Sequence, residues 1–231
     1  MLNIYDNYVF IIAINDGGKK IVDQISEKDI SFFKKTTTYL KWHSSEKIYL
    51  DKNNYSNFEI KIGDNDSAVA ILVYDLDDYE LSKVVEDNIK GKGIHIVSIC
   101  INDKNEIKYK NVINTKSKDA RELILDILIP SFNNPGLITF DMDDYDRFMR
   151  NNYYYNSFIV KAHNFDDVIN NTVDRLDSID GEAEIMIFLI AKKIAMSAIE
   201  YLVNKRMPSL IYAYQIDDLE KDRILAVYKT E

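Results

Sequence analysis

Cysteine, histidine, glycine and proline are all scarce in this chain of 231 residues. The single cysteine, Cys100, excludes an intramolecular disulfide framework and suits a reducing compartment, so the expected location is cytoplasmic. Three histidines and one cysteine are too few for an ordinary zinc site, and no metal is expected. Positive charge also falls short: 29 Lys and Arg face 38 Asp and Glu, a net charge of −9. Binding nucleic acid by phosphate neutralisation, or adhering to an anionic membrane, needs the opposite sign; neither partner is expected. No apolar run approaches the roughly 20 residues of a membrane span. The stretch Met1 to Asp16 has neither a basic leader nor a small-residue cleavage site, so no signal peptide is expected.

What the chain does have is apolar material, 46% of its residues, arranged in short runs between helical patterns. Tyr8–Ile14, Ala68–Tyr74 and Ile94–Ile101 are continuous, β-branched and short, as strands buried on both faces of a parallel sheet are. Asn15 to Gly18 reads as a turn, followed by a helix over Lys19–Ser26. The polar stretch 51–66 reads as loop, with one strand at Phe58–Lys61 and Ile62. A helix opens within Asp75–Glu80 and runs to Ile89, and Gly91 and Gly93 end it. Asp119–Ile129 is a strongly apolar helix that Pro130 and Pro135 interrupt or end. Beyond it come a strand at Gly136–Phe140, a helix at Met142–Asn151, a strand at Tyr153–Ala162 and a helix at Phe165–Leu176. A strand at Glu184–Ala191 and a helix at Lys193–Arg206 follow. Leu210–Ile216 and Arg223–Lys229 then read as a terminal antiparallel hairpin.

Few residues point to chemistry. The strand–Gly-Gly–helix segment at Gly17 and Gly18 has the outline of a phosphate cradle, but Asp16 in the same turn would repel a phosphate. Asp75, Asp77 and Asp78 end a strand, resembling the nucleophile motif of haloacid-dehalogenase phosphatases. The Thr or Val expected after the second Asp is missing, so a metal-dependent phosphohydrolase using Asp75 and Asp77 is kept as the alternative. Asp141, Asp143, Asp144 and Asp146 crowd a second strand-to-helix passage, and Tyr74–Glu80 echoes Phe140–Asp146. Helix capping accounts for much of both, because carboxylates suit the positive end of a helix. The three histidines lie far apart in sequence and no nucleophile triad can be argued from them, and Cys100 on its apolar strand reads as a core thiol.

The segment Pro135-Gly-Leu-Ile-Thr-Phe-Asp-Met-Asp-Asp-Tyr-Asp-Arg-Phe-Met149 resembles the synergy-loop segment of FtsZ in the tubulin superfamily. Asp141 and Asp144 fall on its two acidic positions and Thr139 replaces an Asn. At pattern level the likeness extends in order along most of the chain. It implies an α/β fold: a truncated Rossmann-like N-terminal half with a parallel sheet, a central helix, and a smaller α+β C-terminal half with a mixed sheet. The implied domains are a nucleotide-domain remnant at 1–116, a connecting helix at 117–135 and a synergy-loop domain at 136–231. Where the family carries its glycine-threonine phosphate loop, this chain has Asp75-Leu-Asp-Asp-Tyr-Glu80, with Gly17 and Gly18 all that is left of the first glycine loop. GTP is therefore not expected as a cofactor, and no catalytic residue in cis is expected; a residual GTPase is the weakest alternative. The expected function is a GTPase-deficient, FtsZ-like cytoskeletal subunit, of cell division or a related filament system. It would associate with itself or an FtsZ-like filament protein through Thr139, Asp141, Asp144, Tyr145 and Arg147. With the sequence ending at Glu231, two residues past the last predicted strand, no adaptor-binding tail and no direct membrane anchor are expected.

Overall fold

The computed structural model describes residues 7–26, 29, 42–60, 62, 67–90, 93–104, 106, 108–132, 142–149, 152–179, 184–206, 208–216 and 219–230. The chain divides into two compact units. One comprises Met1–Ile107 and Val112–Ile124, the other Lys108–Asn111 and Leu125–Glu231. Among the described residues no helix is long and apolar enough to cross a membrane.

The first unit is built on five parallel strands: β1 (Asn7–Ile14), β2 (Trp42–Leu50), β3 (Ser67–Asp75), β4 (Ile94–Ile101) and β5 (Ile113–Thr115). Their spatial order is β2-β1-β3-β4-β5. The apolar runs become central strands because both faces are covered: Ile11, Ile12, Ile71, Leu72 and Val97 are all buried. Helix α1 (Asn15–Val22) follows β1 with no intervening loop. The turn expected at Asn15–Gly18 is absorbed by Asn15 alone, which takes a left-handed φ of 51°; asparagine is among the few non-glycine residues that tolerate it. A single 3₁₀ turn at Leu76–Asp78 joins β3 to helix α2 (Tyr79–Ile89). The strand expected from Phe58 does not form: residues 58–60 follow a 3₁₀ turn and are irregular.

Helix α3 (Ser117–Phe132) runs through Pro130 rather than stopping at it. The proline lies in the last turn, where its missing N–H cannot bond the Asp126 carbonyl. In the first unit Arg121 ties the helix down, with Nη2 2.9 Å from Asp29 Oδ2 and Nε donating to the Gln24 carbonyl at 3.1 Å.

The second unit contains α4 (Met142–Met149), β6 (Tyr154–Ala162), α5 (Phe165–Asp177), β7 (Ile185–Ala191), α6 (Met196–Arg206), β8 (Leu210–Gln215) and β9 (Asp222–Thr230). Its strands lie in the order β6-β9-β7-β8. The hairpin expected from the last two strands is overturned. β8 pairs in parallel with β7, and β9 crosses back to lie antiparallel between β6 and β7. The reason is burial: Ile224, Leu225, Ala226 and Val227 are all sealed from solvent. A strand apolar on both faces belongs in the middle of a sheet, not on its edge. Helices α5 and α6 cover this sheet through Val168, Val173, Leu176, Ile199 and Leu202. Asn164 caps α5, accepting the Asp167 N–H at 2.8 Å. The strand expected at Gly136–Phe140 lies outside the described residues.

Candidate functional site

In the first unit, β1 and β3 are neighbours whose outgoing connections diverge, one toward β2 and the other toward β4. Such a switch point opens a crevice beyond the carboxyl ends of the strands, where open α/β sheets bind ligands. A cavity of about 770 Å³ lies there. Its walls come from the β1–α1 junction (Asn15, Asp16, Gly17, Lys19), the end of β2 and the loop after it (Tyr49 to Asn54), and the end of β3 (Asp75, Asp77, Asp78). The residues that the sequence marked as a degraded phosphate loop, Gly17, Gly18, Asp75, Asp77 and Asp78, thus meet at one place: all but Gly18 line the cavity, and Gly18 packs beneath it.

Two contacts close the crevice from within. The Asp75 carboxyl sits on the bare Cα of Gly17, so close that a Cβ on residue 17 would overlap it. Asn15 Nδ2 donates to Asp78 Oδ1 at 2.5 Å. Gly18 is equally bare for another reason: a Cβ there would run into the main-chain carbonyl of Val73. The two glycines therefore let α1 approach β3, which is a packing role.

Five carboxylates line the cavity against two lysines. Lys19 is already engaged, 2.6 Å from Asp23 and 4.8 Å over the Tyr49 ring, while the Tyr49 hydroxyl donates to Asp23 at 2.8 Å. Burial pushes the Asp75 carboxyl above the usual carboxylate range; Asp78, and then Asp103 and Asp77, push the same way, against the opposing pull of Lys20. Burial, with Asp75, Asp77 and Asp78 behind it, pushes the Cys100 thiol up to about 12, which favours the thiol over the nucleophilic thiolate. Oxygen donors suit a hard cation by type. Yet Asp75, Asp77 and Asp78 do not, among the described residues, bring three carboxylate oxygens within 4.8 Å of one another.

The residues of the synergy-loop motif fall on or before α4 in the second unit. Thr139 and Asp141 lie outside the described residues. Asp144 and Arg147 form an ion pair one turn apart, and Arg147 Nε donates to the Asp143 carbonyl at 3.3 Å. Arg147 and Asp143 are exposed and Asp144 and Asp146 half-buried. Tyr145 is only 1% exposed. Its ring belongs to the core with Phe148 and Met149 and is not available to a partner. Tyr155 anchors the helix from below, its hydroxyl donating to the Phe148 carbonyl at 2.6 Å.

Sequence reasoning missed the third wall of the crevice, Tyr49 and Asp51 to Asn54. The one signal was an Asn- and Asp-rich stretch directly after a strand, which is equally the signature of an ordinary loop.

No protein-family model matches the chain, and no curated protein matches it by sequence. In structure it is similar to a point mutant of FtsZ from M. jannaschii, with a TM-score of 0.59 at 13% identity, over 96% of this chain and 91% of that one. It is also similar to CetZ1 from Haloferax volcanii, solved as a GDP-bound monomer, with a TM-score of 0.52 at 9% identity, over 95% and 93% of the two chains. The fold is of the FtsZ/tubulin type.

Proposed function

We propose that this chain uses an FtsZ/tubulin-type fold without GTP, as a structural or regulatory subunit that self-associates or caps a cytoskeletal filament. The observation that carries the reading is the crevice: five carboxylates against two lysines, one of them held by Asp23. Two like charges about 4 Å apart repel by about 4 kcal/mol at a surface-like dielectric. A triphosphate there would meet several such pairs. The similar CetZ1 was solved with GDP; in this chain the switch-point crevice is lined mainly by carboxylates.

The docking face is the motif leading into α4, with Asp141, Asp144 and Arg147 as its polar members. An acidic face of this kind fits a partner's nucleotide pocket better than the acidic crevice of a second copy. Capping of a related filament is therefore favoured over a homopolymer joined through these two surfaces. The test is co-sedimentation with a GTP-assembled FtsZ. The wild-type chain should pellet with the polymer, and an Asp141→Ala, Asp144→Ala double variant should stay in the supernatant. Micromolar GTP binding by the isolated chain in a calorimeter refutes the proposal. The phosphohydrolase alternative predicts Mg²⁺-dependent phosphate release that Asp75→Asn abolishes; the dispersed carboxylates around Asp75 weigh against it.

A further inference from the structure

The cavity-lining carboxylates are not equivalent. Asp77 is exposed, and Asp78 is taken up by Asn15. Asp75 alone is seated on the glycine turn, its carboxyl carbon and both oxygens filling the space over Gly17. That turn opens α1, whose N-cap position, Ile14, supplies no side-chain hydrogen bond. The first-turn N–H groups of an uncapped helix attract anions. The chain itself supplies two carboxylates here, Asp16 within the turn and Asp75 against Gly17.

We propose that Asp75 is an intramolecular stopper: its carboxylate takes the position from which a phosphate would approach the first turn of α1, and so shuts the crevice to phosphate anions. This rests on the reading that the crevice holds no nucleotide, and it names the residue and the contact responsible. Bulk and charge act together. The carboxyl group occupies the space where a Cβ of residue 17 would stand, and partial burial strengthens its repulsion of a second anion. Lys20, whose charge acts on Asp75 in the folded protein, would lose that opposing carboxylate once it is gone.

The test is calorimetric titration with inorganic tripolyphosphate of wild type, Asp75→Gly and Asp77→Asn. Asp77→Asn removes the same charge from an exposed position of the same cavity. The stopper predicts that Asp75→Gly binds at least about tenfold more tightly than wild type, whereas Asp77→Asn changes affinity by about threefold or less, as an exposed charge does. Equal gains in the two variants overturn the proposal, since net charge alone would then account for them. No gain in a folded Asp75→Gly overturns it too, while leaving the proposed function standing. Micromolar binding of tripolyphosphate by wild type itself overturns both. Far-UV circular dichroism establishes folding, and Asp75→Ala takes the place of Asp75→Gly should the glycine variant fail to fold.

Discussion

Gly17 and Gly18 differ in what crowds them, and the difference is measurable. A methyl group at residue 17 meets a side chain, Asp75, which can swing aside; at residue 18 it meets the backbone carbonyl of Val73, which cannot. Gly17→Ala should cost about 1–3 kcal/mol, the range for overpacking, and most of that cost should vanish in an Asp75→Gly background. Gly18→Ala should cost more and show no such relief; urea unfolding of wild type, the three single variants and the two doubles gives the comparison. Asp75 itself carries a sign that can be read from pH. Its folded-state pKa is raised, chiefly by burial. The native state then binds the proton more tightly than the unfolded chain does, so this group adds stability as pH falls through its folded value. Relative to wild type, Asp75→Asn should melt higher at neutral pH, and the advantage should shrink as pH falls toward about 4. A constant difference in melting temperature over that range would show that the carboxylate is not strained.

Among the elements, β9 and α3 share one buried charge pair in the second unit. Arg223 Nε donates to Asp126 at 2.8 and 3.0 Å and Nη2 at 2.5 Å, with Asp126 fully buried. Breaking such a pair strands a charge, so Arg223→Met should destabilise by about 3–5 kcal/mol. Adding Asp126→Leu should restore most of it, and denaturant titration of the single and double variants measures both. Asp126 lies in a segment that the sequence marks only as a strongly apolar helix; its partner is 97 residues away. The same limit governed the sheet. Strands β1, β3, β4 and β7 could be read because burial on both faces leaves an unbroken apolar run. Three-residue β5 has no room for a pattern. The β8–β9 neighbourhood misled because adjacency in sequence favours a hairpin, whereas β9 has two faces to bury and inserts next to β7. Of the crevice, the β1 and β3 walls were legible from their charged strand ends. The β2 wall was not, since nothing local fixes where β2 ends relative to β1.

Across the whole molecule, the boundary between the units does not follow the apparent end of the first sheet at residue 116. Ala120, Leu123 and Ile124 are fully buried and belong to the first unit. A fragment ending at 116 forfeits the burial of Leu123 and Ile124, about 3–6 kcal/mol at usual side-chain values, as well as the Arg121–Asp29 ion pair. That is comparable to the entire stability of a small domain. Residues 1–132 should therefore unfold cooperatively in urea, and residues 1–116 should show no transition. The chain passes between the units three times, after residues 107, 111 and 124. A single recombination breakpoint placed anywhere along the gene would thus leave at least one unit missing a piece of itself. The first unit travels whole on any piece that reaches residue 124, whereas the second needs Lys108–Asn111 from inside its neighbour's sequence and cannot be traded as a cassette.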